Sequence, residues 1–128
     1  MAAPLLLDTD VLVDYLRGRT EAAAYLEART EPLLVSVITV AELYAGVREG
    51  EERRILERFL SAFEIISLDR EIAQKGGLYR RDYGPSHGVG LADALIAASA
   101  ELHKARLVTS NARHFPMVEV EVPYKKPD

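Results

Sequence analysis

Three times between Pro4 and Asp69 the chain passes from a short apolar run into a segment whose apolar residues fall three and four apart. That succession limits the fold more than any other feature. The run Leu33 to Ile38, rich in β-branched residues and bounded by Pro32, suits a strand buried on both faces, and a parallel sheet with helices on both sides buries strands in that way. With 128 residues the chain has room for one domain and little more. The expected fold is α/β: a single three-layer α/β/α domain with a mainly parallel central sheet of about five strands.

The pattern predicts a strand over Pro4 to Leu7, a helix from near Asp10, and an interruption at Gly18. Thr20 is placed to cap a second helix running through Arg29. After the strand Leu33 to Ile38, Thr39 begins a helix that closes near Gly46. Glu51 to Phe63 carries one apolar stripe, Ile55, Leu56, Phe59, Leu60 and Phe63, and a strand over Glu64 to Leu68 follows. Asp69 is an N-cap for a helix to about Tyr83, and GPSHGVG, Gly84 to Gly90, reads as an exposed connection. A helix from Leu91 to about His103 and strands over Arg106 to Thr109 and Val118 to Val122 complete residues 1–122. The remaining PYKKPD, 123–128, reads as a flexible tail.

Composition narrows the function. Hydrophobic residues at 48% and charged residues at 28% are those of a folded globular domain. There is no cysteine, which removes disulfides, thiolate metal clusters and a cysteine nucleophile, and permits a reducing compartment. MAAPLLL lacks a basic leader and runs straight into Asp8, so a soluble cytoplasmic protein with no membrane association is expected. The net charge of −4 argues against broad electrostatic wrapping of nucleic acid, but not against a nuclease whose acidic residues hold metal.

Asp8, Glu42 and Asp93 each fall near an expected strand-to-helix transition or in the first turns of a helix. In a parallel α/β sheet those transitions share the edge where ligands bind. Each residue also has a local explanation: Asp8 as a turn residue, Asp10 as an N-cap, Thr39 and Glu42 as a capping box, and Asp93 as a charge at a helix start. Their recurrence at one edge favours a shared cation, and hard oxygen ligands suit Mg²⁺ or Mn²⁺ better than zinc. Asn111, in TSNARHF, either orients a water or phosphate or stabilises a turn. Arg17 with Arg19 and Arg80 with Arg81 offer phosphate contacts or a solvated surface; Arg113 and His114 offer contacts to an anionic substrate.

At LLLDTDVLVDYL (Leu5 to Leu16), SVITVAELYAGV (Ser36 to Val47), GLADALIAASA (Gly90 to Ala100) and LVTSNARHF (Leu107 to Phe115) the sequence resembles the PIN-domain ribonucleases, especially VapC-like toxins of type II toxin–antitoxin modules. The resemblance implies a sheet ordered 3-2-1-4-5 and a metal-dependent endoribonuclease acting on structured RNA. It matches Asp8, Glu42 and Asp93 to three metal-binding carboxylates and Asn111 to a fourth catalytic position that is often Asp. It further implies Mg²⁺ or Mn²⁺ as cofactor, a homodimer, and a cognate VapB-like antitoxin. Two other readings stand beside it: a PIN-like module that binds RNA or protein without cleaving, and a phosphatase similar to haloacid dehalogenases, in which DTDVL would make Asp8 the nucleophile and Asp10 the acid/base.

Overall fold

A computed structural model describes residues 2–125. Five short strands, β1 (Leu5–Leu7), β2 (Leu33–Ser36), β3 (Glu64–Ile66), β4 (Arg106–Val108) and β5 (Val120–Glu121), form one wholly parallel sheet in the order β3-β2-β1-β4-β5. The helices are α1 (Thr9–Leu16), α2 (Thr20–Glu27), α3 (Val37–Ala45), α4 (Glu51–Leu60), α5 (Arg70–His87) and α6 (Leu91–Leu102), with a 3₁₀ turn at Ala112–His114. The expected α/β/α architecture and sheet order are those observed.

Alternation along the strands separates the two helical layers, since successive side chains point to opposite faces. Leu5, Leu7, Val35 and Val108 pack with Val11, Leu12, Leu43 and Leu56 from α1, α3 and α4. On the other face Leu6, Leu34, Ile66 and Leu107 pack with Ile96, Ala97 and Ala100 of α6 and with Phe115. Central strand β1 is buried on both sides, so each of its three leucines contributes on the order of 2 kcal/mol of hydrophobic stabilisation.

Several boundaries differ from the sequence pattern for local reasons. Strand β2 ends at Ser36, two residues short of Ile38, because the Ser36 hydroxyl accepts from Ile38 N at 3.0 Å and starts α3 there. Thr39 is consequently a buried residue inside α3 rather than its cap, and the capping box with Glu42 does not form. Thr20 lies within α2, whose N-cap position is Arg19, and α4 ends at Leu60 rather than Phe63. Asp69 caps α5 as expected, accepting from Ile72 N at 2.8 Å. That helix continues through Gly84 and Pro85 to His87, because a proline in the last turn removes only one donor, and it ends where Gly88 takes φ 65°. Tyr124, expected in the tail, donates its hydroxyl to Asp14 Oδ2 at 2.6 Å; Lys126 to Asp128 lie outside the described residues.

The closest helix packing is between α5 and α6, where a Cβ on Gly76 would stand 2.6 Å from Leu95 Cδ2 and 3.1 Å from Leu95 Cα. On neighbouring Gly77 it would meet nothing within 4 Å. Gly76→Ala is therefore expected to lower the unfolding free energy by about 1–2 kcal/mol despite the better helix propensity of alanine. Gly77→Ala should raise it by about 0.5–1 kcal/mol. Urea melts of the two variants check the opposite signs.

Candidate active site

Strand β1 delivers Asp8 to the carboxyl edge of the sheet, where its backbone N donates to Val108 O at 2.9 Å, just past the end of the strand pairing. Its side chain serves two structures at once. Oδ1 accepts from Thr9 N at 2.8 Å and caps α1, while Oδ2 accepts from the Thr109 hydroxyl at 2.8 Å. Thr109 Oγ1 in turn accepts from Asn111 N at 3.0 Å. The loop after β4 is thus tied to the carboxylate after β1 through one buried hydroxyl.

Glu42 reaches the same edge from the second turn of α3, and the Thr9 hydroxyl donates to its Oε1 at 2.6 Å. Thr9 Oγ1 also lies 3.0 Å from Thr39 Oγ1, so the buried threonine helps set the rotamer that holds Glu42. Asp93 comes from the first turn of α6, which has no side-chain N-cap. His114 Nδ1 lies 3.5 Å from Asp93 Oδ2 and 2.8 Å from Asn111 Nδ2, linking the loop to α6. Asp10 bonds through Oδ2 to the backbone N and hydroxyl of Ser110, leaving its Oδ1 buried with no hydrogen-bond partner among the described residues.

These side chains line one cavity of about 410 Å³, bounded by Asp8, Thr9, Asp10, Val13, Asp14, Arg17, Glu42, Asp93 and Asn111. All four expected site residues are in it. The cost of burying Asp8 and Asp93 beside other carboxylates is visible in their pKa values. Burial first, and the charge of Asp10 second, push the Asp8 carboxyl up to about 7, against the relief of its hydrogen bonds to Thr109 and Thr9. Burial raises Asp93 as well; the His114 ring opposes that rise, and the charges of Glu42 and Asp10 add to it. Among the described residues no three acidic or histidine side chains stand close enough to hold one ion together as they lie. The carboxylates share a cavity wall rather than a closed cage.

Of the basic residues considered, Arg17 lines the cavity, whereas Arg81 pairs with Asp82 and Arg19 packs over the Tyr124 ring at 5.8 Å. Arg113 is exposed on the 3₁₀ turn. His87 ends α5 in contact with Ser86. Sequence reasoning missed Thr9, Thr39 and Thr109, which hold the carboxylates. The signal for Thr9 and Thr109 was their position directly after β1 and β4.

A second depression of about 470 Å³, lined mainly by apolar residues of α1, α3 and α4, adjoins the acidic cavity and shares Val13, Arg17 and Glu42 with it. No helix among the described residues is long and apolar enough to cross a membrane.

The PIN domain family matches residues 5–120. Ribonuclease VapC10 of Mycobacterium tuberculosis is 42% identical over 118 residues, covering 90% of this chain and 88% of its own. Ribonuclease VapC19 of the same species is 42% identical over 124 residues, covering 93% and 98%. A solved toxin-antitoxin complex from Klebsiella pneumoniae contains a chain that superposes with a TM-score of 0.83 at 32% identity, covering 98% of this chain and all of that one.

Proposed function

This chain belongs to the PIN-domain family, within it to the VapC-like toxins of type II toxin–antitoxin modules, and from that premise we propose that it is a divalent-metal-dependent endoribonuclease held in check by a cognate VapB-like antitoxin. The observation that carries the reading is the meeting of Asp8, Glu42, Asp93 and Asn111, from four separate parts of the chain, on one cavity at the carboxyl edge of a parallel sheet. A homodimer and a structured RNA substrate complete the family reading.

The donor set fits a hard divalent cation. Carboxylate oxygens line the cavity, Asp10 Oδ1 lies buried with no hydrogen-bond partner among the described residues, and burial first, with neighbouring carboxylates adding to it, raises the pKa of Asp8 and of Asp93, a cost that a cation relieves. Asp8, Glu42 and Asp93 would hold Mg²⁺ or Mn²⁺. A bound dication supplies Lewis-acid stabilisation of the charge that builds on a phosphate as its P–O bond breaks.

The protein's own groups do the rest. Thr9 fixes Glu42, and Thr109 fixes Asp8 and the start of the loop that carries Asn111. Asn111 presents its amide beside the carboxylates, where it orients water or a phosphate oxygen. His114 positions that amide and Asp93 rather than serving as general base.

The direct test exposes structured cellular RNA to antitoxin-free protein with Mg²⁺ or Mn²⁺, alongside a chelator arm and a folded Asp93→Asn variant, and maps new ends by sequencing. The expected result is a reproducible set of cuts lost in both control arms. Cuts that persist in chelator overturn the metal dependence. Absence of cuts from folded, metal-binding protein points instead to a PIN-like module that binds RNA without cleaving it.

A further inference from the structure

Among the described residues the acidic cavity is lined by five carboxylates and one basic residue, Arg17. Arg17 sits at the C-cap of α1, where its cationic side chain suits the helix dipole. Like Arg17, exposed Arg54, Arg58, Arg70 and Arg80 carry no ion pair among the described residues, but none of them lines the acidic cavity, and the position of Arg17 there is what the dipole does not account for. Arg48, Arg53, Arg81 and Arg106 each pair with a nearby carboxylate at 2.8 to 3.3 Å. The Arg17 side chain lines a cavity containing five such groups, yet has no hydrogen bond or ion pair among the described residues. Its five N–H donors are free to point at something that enters.

We infer that Arg17 binds the RNA backbone, taking a non-bridging oxygen of a phosphate next to the one being cut. This rests on the nuclease reading above. A strand entering the cavity brings several negative charges toward a carboxylate-lined wall, and a cation at the reacting phosphate neutralises only part of them. A guanidinium fork matches a phosphate in geometry as well as charge, and it cannot lose its proton at any working pH. Its place at the rim, shared with the apolar depression between α1, α3 and α4, puts it beside the reacting carboxylates rather than among them. Arg17 is thus a substrate-binding residue, separate from the metal-binding set.

The test compares wild type, Arg17→Gln and Arg17→Lys in steady-state cleavage of a mapped RNA hairpin over a range of salt concentrations, with Mg²⁺ affinity measured by calorimetry. Arg17→Gln is expected to raise KM about tenfold with kcat within about twofold, and Arg17→Lys to recover part of the loss. The slope of log kcat/KM against log salt should become shallower by about 0.7, the value for one single-strand phosphate contact, in Arg17→Gln alone. Mg²⁺ affinity should not change. Unchanged KM and slope overturn the inference. So does a shift in Mg²⁺ affinity with a fall in kcat, which would make Arg17 a counter-charge for the carboxylates.

Should the wild type cut no RNA, the nuclease reading fails and Arg17 is judged separately. Fluorescence anisotropy of the same labelled hairpin in Ca²⁺ then supports the phosphate contact if Arg17→Gln weakens binding with the shallower slope. Equal binding by the two proteins, or none by either, overturns it.

Discussion

Asp8→Asn is expected to abolish RNA cleavage and, in chelator above neutral pH, to leave a protein more stable than the wild type. The two effects have one origin. In the folded chain the Asp8 carboxyl is pushed from 3.8 up to about 7, chiefly by burial and then by Asp10. Between those values the folded state holds a proton that the unfolded state has released, so stability falls as pH rises from about 4 through 7. A shift of that size is worth on the order of 4 kcal/mol. Asparagine caps a helix as well as aspartate and carries no charge, so the variant escapes this loss. Urea melts at pH 4 and pH 8 in chelator should show the difference between variant and wild type moving in the variant's favour by about that amount. Cleavage in Mg²⁺ should fall on the order of 10³-fold, several kcal/mol of lost transition-state stabilisation. Parallel pH profiles for the two proteins would rule out Asp8 as the source of the strain.

Phe115→Ala should produce the largest loss of stability among single changes outside the carboxylates. The ring is 1% exposed and packs with Leu6, Leu34, Ile96 and Leu107 beneath the sheet face that α6 covers. Removing it costs about 3–5 kcal/mol, a large fraction of the roughly 5–15 kcal/mol that holds a domain together. It also follows directly on the 3₁₀ turn Ala112–His114, so burial of its ring in the core pins the end of the segment that carries Asn111 and His114. Activity should therefore drop even at temperatures where the variant stays folded. Phe115→Leu keeps most of the apolar volume and should lose no more than about 1.5 kcal/mol. Differential scanning calorimetry with the two variants distinguishes an anchor from a replaceable filler: near-equal melting temperatures for alanine and leucine would remove the anchoring role.

The layer architecture was legible because the central strands β1 and β2 are short apolar runs while the helices carry three- and four-residue spacing. Asp69 was legible as a cap because it stands directly before the helical segment, whereas Ser67 lies two residues too early. Ser36 was not. The β-branched run Val37 to Ile38 continues the strand pattern, and only the hydroxyl's bond to Ile38 N turns those residues into helix. That single cap has a functional result, because it releases Glu42 from a local capping bond and leaves it to Thr9. Gly84 and Pro85 read as a break for an equally local reason, and the helix passes through them because its last turn needs few donors. Position and family motif singled out the four residues that line the cavity together, Asp8, Glu42, Asp93 and Asn111. Their supports were hidden by sequence distance: the Tyr124 hydroxyl to Asp14 spans 110 residues and the Thr109 hydroxyl to Asp8 spans 101. Periodicity carries no signal at such a range.

The central strand has a consequence for the order in which the molecule is made. β1 is synthesised first, yet one of its two partners, β4, is among the last elements to leave the ribosome. At about 5–20 residues per second, Asp8 waits on the order of ten seconds for the threonine that will hold it. During that interval β2 and the first four helices can form, but the edge of β1 that faces β4 stays open. A polypeptide halted by a stalled or broken message between residues 93 and 106 therefore carries Asp8, Glu42 and Asp93 without the strand that brings Thr109 and Asn111 beside them. Such a product lacks both the hydroxyl that holds Asp8 and the amide that completes the cavity wall.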